Sequence, residues 1–415
     1  MKRSLVLLQT ILSVVTLFAG LVLLVSGNAM LGTIAALRLE LEGFDPGIIG
    51  VVLALTSLGF VIGSIHGVRI VQRVGHIRAF AAFAGVAAAA AAAHPLHISV
   101  ATWAVLRFFL GFCVAGLMLV TESWINGRAA EQTRGALLAT YMVLFFLAAS
   151  SGQFMVALGD PGQYQLFAVA GILIVLSMVP ISLAASSPPE AGQTDRLGIR
   201  TLWRSSQLGV AGAASSGLVL GAFGTVGPVY GYEMRLPVEE IAIFMGISIL
   251  AAMAFQWPIG YLSDRLPRRS VIFFVAIAAT VAAVATAIFG ARSHLHLYVG
   301  VALLYGFSSC IYPLCLALTH DMLSKSQIVA ASSTMLLVNG IGAVAGPVIG
   351  GLAISAVGPP GLMYFLAASL LALVALGLRS LVRERAPKVG DQSHCVGVAP
   401  VSTAAIVELD PRQAS

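Results

Sequence analysis

The sequence predicts an all-α membrane protein with twelve transmembrane helices arranged as two six-helix bundles. Three observations carry that expectation. Only 10% of the 415 residues are charged and 59% are hydrophobic, whereas soluble chains carry about 25% charged residues. Apolar runs recur along nearly the whole chain, and a bilayer crossing takes about 20 such residues. A turn-rich stretch, 186–193, then separates six of these runs from six. The runs are continuous, whereas strands of a membrane barrel alternate over about 10 residues. A helix also satisfies its own backbone groups in lipid.

The first run, 5–31, follows Lys2-Arg3 and could pass for a signal peptide. A signal peptide's apolar core is about 7–15 residues long, and this run continues well beyond that, so a first span is expected. The second, 46–67, opens at Asp45-Pro46. The third, 79–93, is short and alanine-rich, and hydropathy alone also admits a count of eleven. The fourth, 100–121, contains Arg107 and ends in Thr121-Glu122; 136–158 and 164–184 complete the first half. Within 1–415 the expected domains are a bundle over 1–185, a cytoplasmic linker over 186–206, a second bundle over 207–386 and a disordered tail over 387–415. The second half reads as 207–230, 239–261, 271–290, 295–318, 328–356 and 362–382. Its fifth span is glycine-rich, with Gly340, Gly342, Gly346, Gly350 and Gly351 permitting close helix approach.

With the amino terminus placed inside, nineteen of the 23 Lys and Arg residues fall on the inner side. The outer loops carry only Arg38, Arg235 and Arg292, and Arg107 lies within a span. The net charge of +6 therefore reads as a positive-inside signature and not as a nucleic-acid footprint. Both termini are expected on the cytoplasmic side. The four cysteines show no metal or redox spacing. Cys113, Cys310 and Cys315 lie in apolar spans, where core filling is the ordinary role.

The halves echo one another. Asp45-Pro46 is answered by Leu236-Pro237, Arg73 by Arg265, and Thr121-Glu122 by Thr319-His320-Asp321. Similarity at a half-chain period indicates a parallel repeat about an axis along the membrane normal.

The sharpest motif is Gly260-Tyr261-Leu262-Ser263-Asp264-Arg265-Leu266-Pro267-Arg268-Arg269, between spans eight and nine. Asp264 can accept from the exposed N–H groups at a neighbouring helix start, expected near Thr133-Arg134-Gly135 of span five. The bland alternative is a basic loop that only sets topology. This motif resembles the hallmark loop of the major facilitator superfamily, Gly-x-x-x-Asp-Arg/Lys-x-Gly-Arg-Arg, with Pro267 in place of the second glycine. The first-half loop keeps Arg73 and Gly75 but has Gln72 where the acid would stand, so a weaker first-half latch is expected. The likeness covers 5–382. Within that family the chain is similar to a poorly characterised bacterial inner-membrane branch, through Asn28, Val120-Thr121-Glu122-Ser123, Gln256-Trp257-Pro258-Ile259-Gly260 and the Gly342 to Gly346-Pro347 pattern. The resemblance implies the major facilitator fold and transport by alternating access.

Arg107 at lipid depth costs roughly 2.5–3.5 kcal/mol on insertion scales, so it should face the interior or water. It resembles the family's Arg-x-x-x-Gly element, which implies a role in substrate binding or proton coupling. It reads either as a cavity charge suited to an anionic or carbonyl-bearing solute, or as a structural arginine bonding backbone carbonyls. Asn28, Tyr141, Gln153, Gln256, Trp257, Tyr305 and Asn339 join it as candidate cavity residues, each equally readable as glue between helices. Glu122 and Asp321 are candidate carboxyls for a proton site or for salt bridges, Glu122 with Arg134 or Arg265. Gln72, Arg73, Glu122, Arg134, Asp264, Arg265 and Asp321 form the expected cytoplasmic gate.

No Walker loop is present, so ATP is not the expected energy source. No metal, cofactor or catalytic constellation is predicted, and an enzyme is not expected. The expected partners are a small-molecule substrate, protons and the lipid bilayer, with no nucleic acid, and the expected state is a monomer. The rival reading is a transporter-like membrane sensor that binds a solute without carrying it.

Overall fold

A computed structural model describes residues 2–127, 134–182, 197–324 and 327–383, together with Gln392, Cys395 and Thr403. Among these, twelve helices are long and apolar enough to cross a membrane. The first half holds α1 (Lys2–Leu41), α2 (Pro46–Val74), α3 (His76–Ala93), α4 (Val100–Asn126), α5 (Arg134–Met155), α6 (Gln165–Leu176) and the short α7 (Met178–Ser182). After a short α8 (Ile199–Ser205) come α9 (Gln207–Glu233), α10 (Val238–Arg265), α11 (Arg268–Phe289), α12 (His294–His320), α13 (Ile328–Val357) and α14 (Pro360–Arg383). The short alanine-rich run does form its span: α3 is continued by a 3-10 turn, His94–Leu96. The sixth span is made of α6 and α7 in succession.

Local chemistry sets the helix starts. Asp45 precedes α2 and accepts from the Gly47 N–H at 2.8 Å, with Pro46 at the first helical position. Ser99, Ser206 and Ser293 cap α4, α9 and α12 in the same way. The two repeated loops turn differently. Gly75 between α2 and α3 has φ of 86°, a value that strains any residue with a Cβ. Pro267 before α11 has φ of −56°, which its ring imposes anyway.

The helices form two six-helix bundles, one from each half, as expected. They meet along α2 against α13 and α5 against α10. A Cβ on Gly50 would overlap the Pro347 carbonyl, and one on Gly351 would overlap the Pro46 carbonyl. These glycines let the α2 and α13 backbones touch near the face opposite the start of α1. Beside them Ser355 donates to Asp45 at 2.8 Å and accepts from the Gly47 N–H at 2.9 Å. On the second seam, Ser150 donates to the Gly246 carbonyl at 3.1 Å.

Prolines lie inside α9, α10, α12 and α13, at Pro228, Pro258, Pro313 and Pro347. Each lacks an N–H and so leaves the carbonyl four residues earlier without its helical donor. The described part of the linker is ordered: Leu202 is buried in α8, and Thr334 donates to the Leu197 carbonyl at 2.7 Å. Most of 387–415, expected to be disordered, lies outside the described residues; Gln392, Cys395 and Thr403 are seated among the helices.

Candidate functional site: a cavity between the bundles and a charged terminal face

A cavity of about 280 Å³ opens between the bundles, lined from α1, α2, α4 and α5 on one side and α9, α10, α12 and α13 on the other. Of the candidate cavity residues, Asn28, Gln153, Tyr305 and Asn339 line it. Gln153 accepts from Thr33 and donates to the Ala29 carbonyl at 3.3 Å, which fixes its amide against α1. Asn339 spends one N–H on the Ala213 carbonyl at 3.1 Å. Ser57, Ser216, Thr225, Ser248 and Ser309 add hydroxyls, and Tyr312 a phenol. The Ser216 hydroxyl is buried and has no hydrogen-bond partner among the described residues. Among the described residues, no Lys, Arg, Asp, Glu or His lines the cavity.

The other candidates sit elsewhere, each for a physical reason. Arg107 is 2% exposed and donates from Nη2 to the Leu31 carbonyl at 3.1 Å. It ties α4 to α1, which is the backbone-bonding alternative of the sequence reading. Tyr141 is buried and gives its hydroxyl hydrogen to Glu122 at 2.7 Å. Gln256 donates to the Ser309 carbonyl at 3.3 Å. That carbonyl is the one Pro313 leaves without a helical donor, so Gln256 patches a proline break. Trp257 is 76% exposed on the outer surface and stacks on Tyr261. An indole facing outward on a spanning helix suits lipid contact.

The residues of the expected gate gather on the face where α1 begins and α14 ends. Arg268, at the start of α11, has a fully buried side chain paired with Asp321, which follows α12. It also donates to Ser263 at 3.1 Å and reaches Asp264 at 3.4 Å. Sequence reading placed Arg268 in the hallmark loop without seeing this pairing, because charge spacing does not reveal which arginine turns inward. Arg265 instead lies exposed, 4.1 Å over the Tyr261 ring. Gln72 and Arg73 are exposed. Arg134 opens α5 with its Nε buried and, among the described residues, without a hydrogen-bond partner. Of the helix start expected to receive Asp264, Thr133 lies outside the described residues. Glu122 is fully buried. It accepts from Tyr141 and from both the backbone N–H and the hydroxyl of Thr403, in place of the arginines expected from sequence.

The comparisons with known proteins agree with this architecture. The family model described as Major Facilitator Superfamily matches residues 17–312 and 258–409. An uncharacterized MFS-type transporter of Yersinia enterocolitica, YE1530, is 26% identical over 344 residues, covering 80% of this chain and 87% of the relative. The uncharacterized MFS-type transporter YcaD of Escherichia fergusonii is 26% identical over 339 residues, with the same coverage. Among solved structures, the nucleoside transporter NupG superposes with a TM-score of 0.74 at 14% identity, covering 91% of this chain and all of that one. A bacterial homologue of the human lysosomal transporter Spinster, in an inward-facing and occupied conformation, gives 0.72 at 14% identity, covering 94% and 98%. At such identities the structures speak for the fold alone, while the family model spans most of the chain. This twelve-span membrane protein belongs to the major facilitator superfamily.

Proposed function

We propose that the chain carries a small, uncharged organic solute by alternating access through the central cavity. The observation that carries this reading is the lining: amides, hydroxyls and phenols from both bundles, interleaved with apolar side chains, and no charge. An ionised solute entering it would lose water without gaining a counter-charge, which is costly. A neutral solute with hydrogen-bonding groups finds partners at Asn28, Ser216 and Asn339. The anionic solute considered from Arg107 loses its support, since that guanidinium bonds the backbone away from the cavity. The charge bias of the loops favours a cytoplasmic position for the terminal face in an inner membrane. Contacts between Gly50 and Pro347 and between Gly351 and Pro46 favour closure on the far side.

In the alternate state the cytoplasmic face would close through Gln72, Arg73, Glu122, Arg134, Asp264, Arg265 and Asp321, with Arg268 holding Asp264 and Asp321 in place. The proposed energy source is the proton gradient. Flux in proteoliposomes with and without a pH gradient, using solutes chosen by ligand-induced thermal stabilisation, tests this. Stabilisation without flux would replace the carrier by a sensor. Each of Asn28→Ala and Asn339→Ala removes about one neutral hydrogen bond, about 0.5–1.5 kcal/mol. Affinity for the transported solute is therefore expected to fall roughly 2- to 10-fold, measured as the half-saturating concentration. Trp257→Ala is expected to change it less than about twofold, because its ring faces away from the cavity.

A further inference from the structure

Two side-chain amides face the cavity with hydrogen-bonding capacity left over. Asn28 of α1 is half-buried at the cavity wall and makes no hydrogen bond among the described residues. Asn339 of α13 places one N–H on the Ala213 carbonyl at 3.1 Å, which anchors the amide and leaves its oxygen unpaired. An amide oxygen only accepts and an amide nitrogen only donates. The second bundle therefore offers an anchored acceptor, and the first offers donors. Ser216, fully buried and unpartnered among the described residues, adds a hydroxyl from α9. It sits where α9 meets α13, since a Cβ on the adjacent Gly217 would overlap the Asn339 backbone carbonyl.

The same walls hold bare backbone and aromatic rings. Gly32 lies one turn from Asn28 on the same face of α1, and no heavy atom stands within 4 Å of a Cβ there. At Gly224 of α9 the nearest such atom is the Tyr305 hydroxyl, at 3.8 Å. With no Cβ at either position, a flat group can approach both helix backbones closely. Phe145, Phe146 and Phe223 also line the cavity, and the Phe223 and Tyr305 rings lie 5.3 Å apart. A polyol would bury unpaired hydroxyls against these rings, which is costly, whereas an aromatic ring packs on them favourably. The volume of about 280 Å³ is near the lower end of the range for small-molecule sites, about 300–1,000 Å³, and suits one ring or two fused rings.

We propose that the solute is a planar aromatic ring bearing a lactam or carboxamide edge. Its N–H donates to the Asn339 oxygen, its carbonyl accepts from the Asn28 amide, and its ring lies over Gly32 and Gly224. One amide group thereby joins the two bundles. This rests on the reading of the cavity as the carrier's solute site.

Calorimetry on the purified full chain in nanodiscs, with 2-quinolone and coumarin as probes, tests the edge. The two have the same shape, but coumarin has a ring oxygen where the lactam has its N–H. Coumarin is expected to bind about 2- to 10-fold more weakly, the worth of one neutral hydrogen bond. In Asn339→Ala that gap should vanish, because the acceptor that distinguishes the probes is gone. In Asn28→Ala both probes should weaken and the gap should persist. Gly32→Leu fills open space and is expected to weaken 2-quinolone roughly tenfold or more by overpacking the site, with the unfolding temperature unchanged.

Absent 2-quinolone binding, equal affinity of the two probes, or a gap that survives Asn339→Ala overturns the proposal. Binding indifferent to Gly32→Leu overturns it as well. Flux in proteoliposomes is read separately. Lactam binding without flux would refute the carrier and leave the lactam site standing, whereas flux of another neutral solute without lactam binding would overturn the lactam edge and leave the carrier.

Discussion

Replacing Gly351 by leucine is expected to force the far face of the protein open. Its Cβ would meet the Pro46 carbonyl, and Gly50 makes the reciprocal contact with Pro347. The obstacle is backbone on both sides, so no side chain can swing away to make room. Overpacking of this kind costs about 1–3 kcal/mol. That moves a two-state equilibrium by about 5- to 150-fold. Spin labels at Leu41→Cys and Val357→Cys, on exposed ends of α1 and α13, read the change by pulsed dipolar spectroscopy. The long-distance population should grow by that factor, and flux should fall with it. Gly85→Leu is the control, since nothing lies within 4 Å of a Cβ there. An unchanged distance distribution in Gly351→Leu would mean that the glycine contact does not hold the face shut.

The second large effect is expected at Arg268. Its side chain and that of Asp321 are 0% and 1% exposed, and removing one partner of a buried pair costs about 3–5 kcal/mol. Arg268→Ala should therefore lower thermal stability in detergent strongly, because it strands Asp321 and withdraws a partner from Asp264. Replacing both members, Arg268→Met with Asp321→Leu, should recover most of the loss, since a well-packed apolar pair is often as stable as the ion pair. Equal losses in the single and double variants would show that the pair contributes through something other than its charges.

The fold was legible because lipid imposes it. Backbone groups must pair within each span, so length and apolarity suffice to find the helices, and even the short third run became α3. The half-chain echoes pointed to two bundles for the same reason. The site was legible only where burial cost had one outlet. Asn28, Gln153, Tyr305 and Asn339 are polar groups that reach the cavity. Gln256 followed the same logic from sequence, yet its amide is used on the carbonyl Pro313 frees, a need set by a different helix. Arg107 met its cost with the Leu31 carbonyl, and Glu122 met its own with Thr403, 281 positions away. Spacing within a motif cannot reveal partners that far along the chain. The serines lining the cavity gave no signal, because a serine in a helix commonly bonds its own turn, as Ser248 does to Phe244.

The internal prolines give the two matched halves unequal mechanics. In the first half Pro46 only opens α2, and Pro180 lies in α7, where the sixth span is interrupted, so the ladders of α1 to α5 run unbroken. In the second, α9, α10, α12 and α13 each miss a rung, and each of these helices lines the cavity. A helix bends most readily where its ladder is interrupted. Among the helices that line the cavity, the interruptions therefore all fall in the second half, and the repeat is symmetric in outline but not in where its walls can bend.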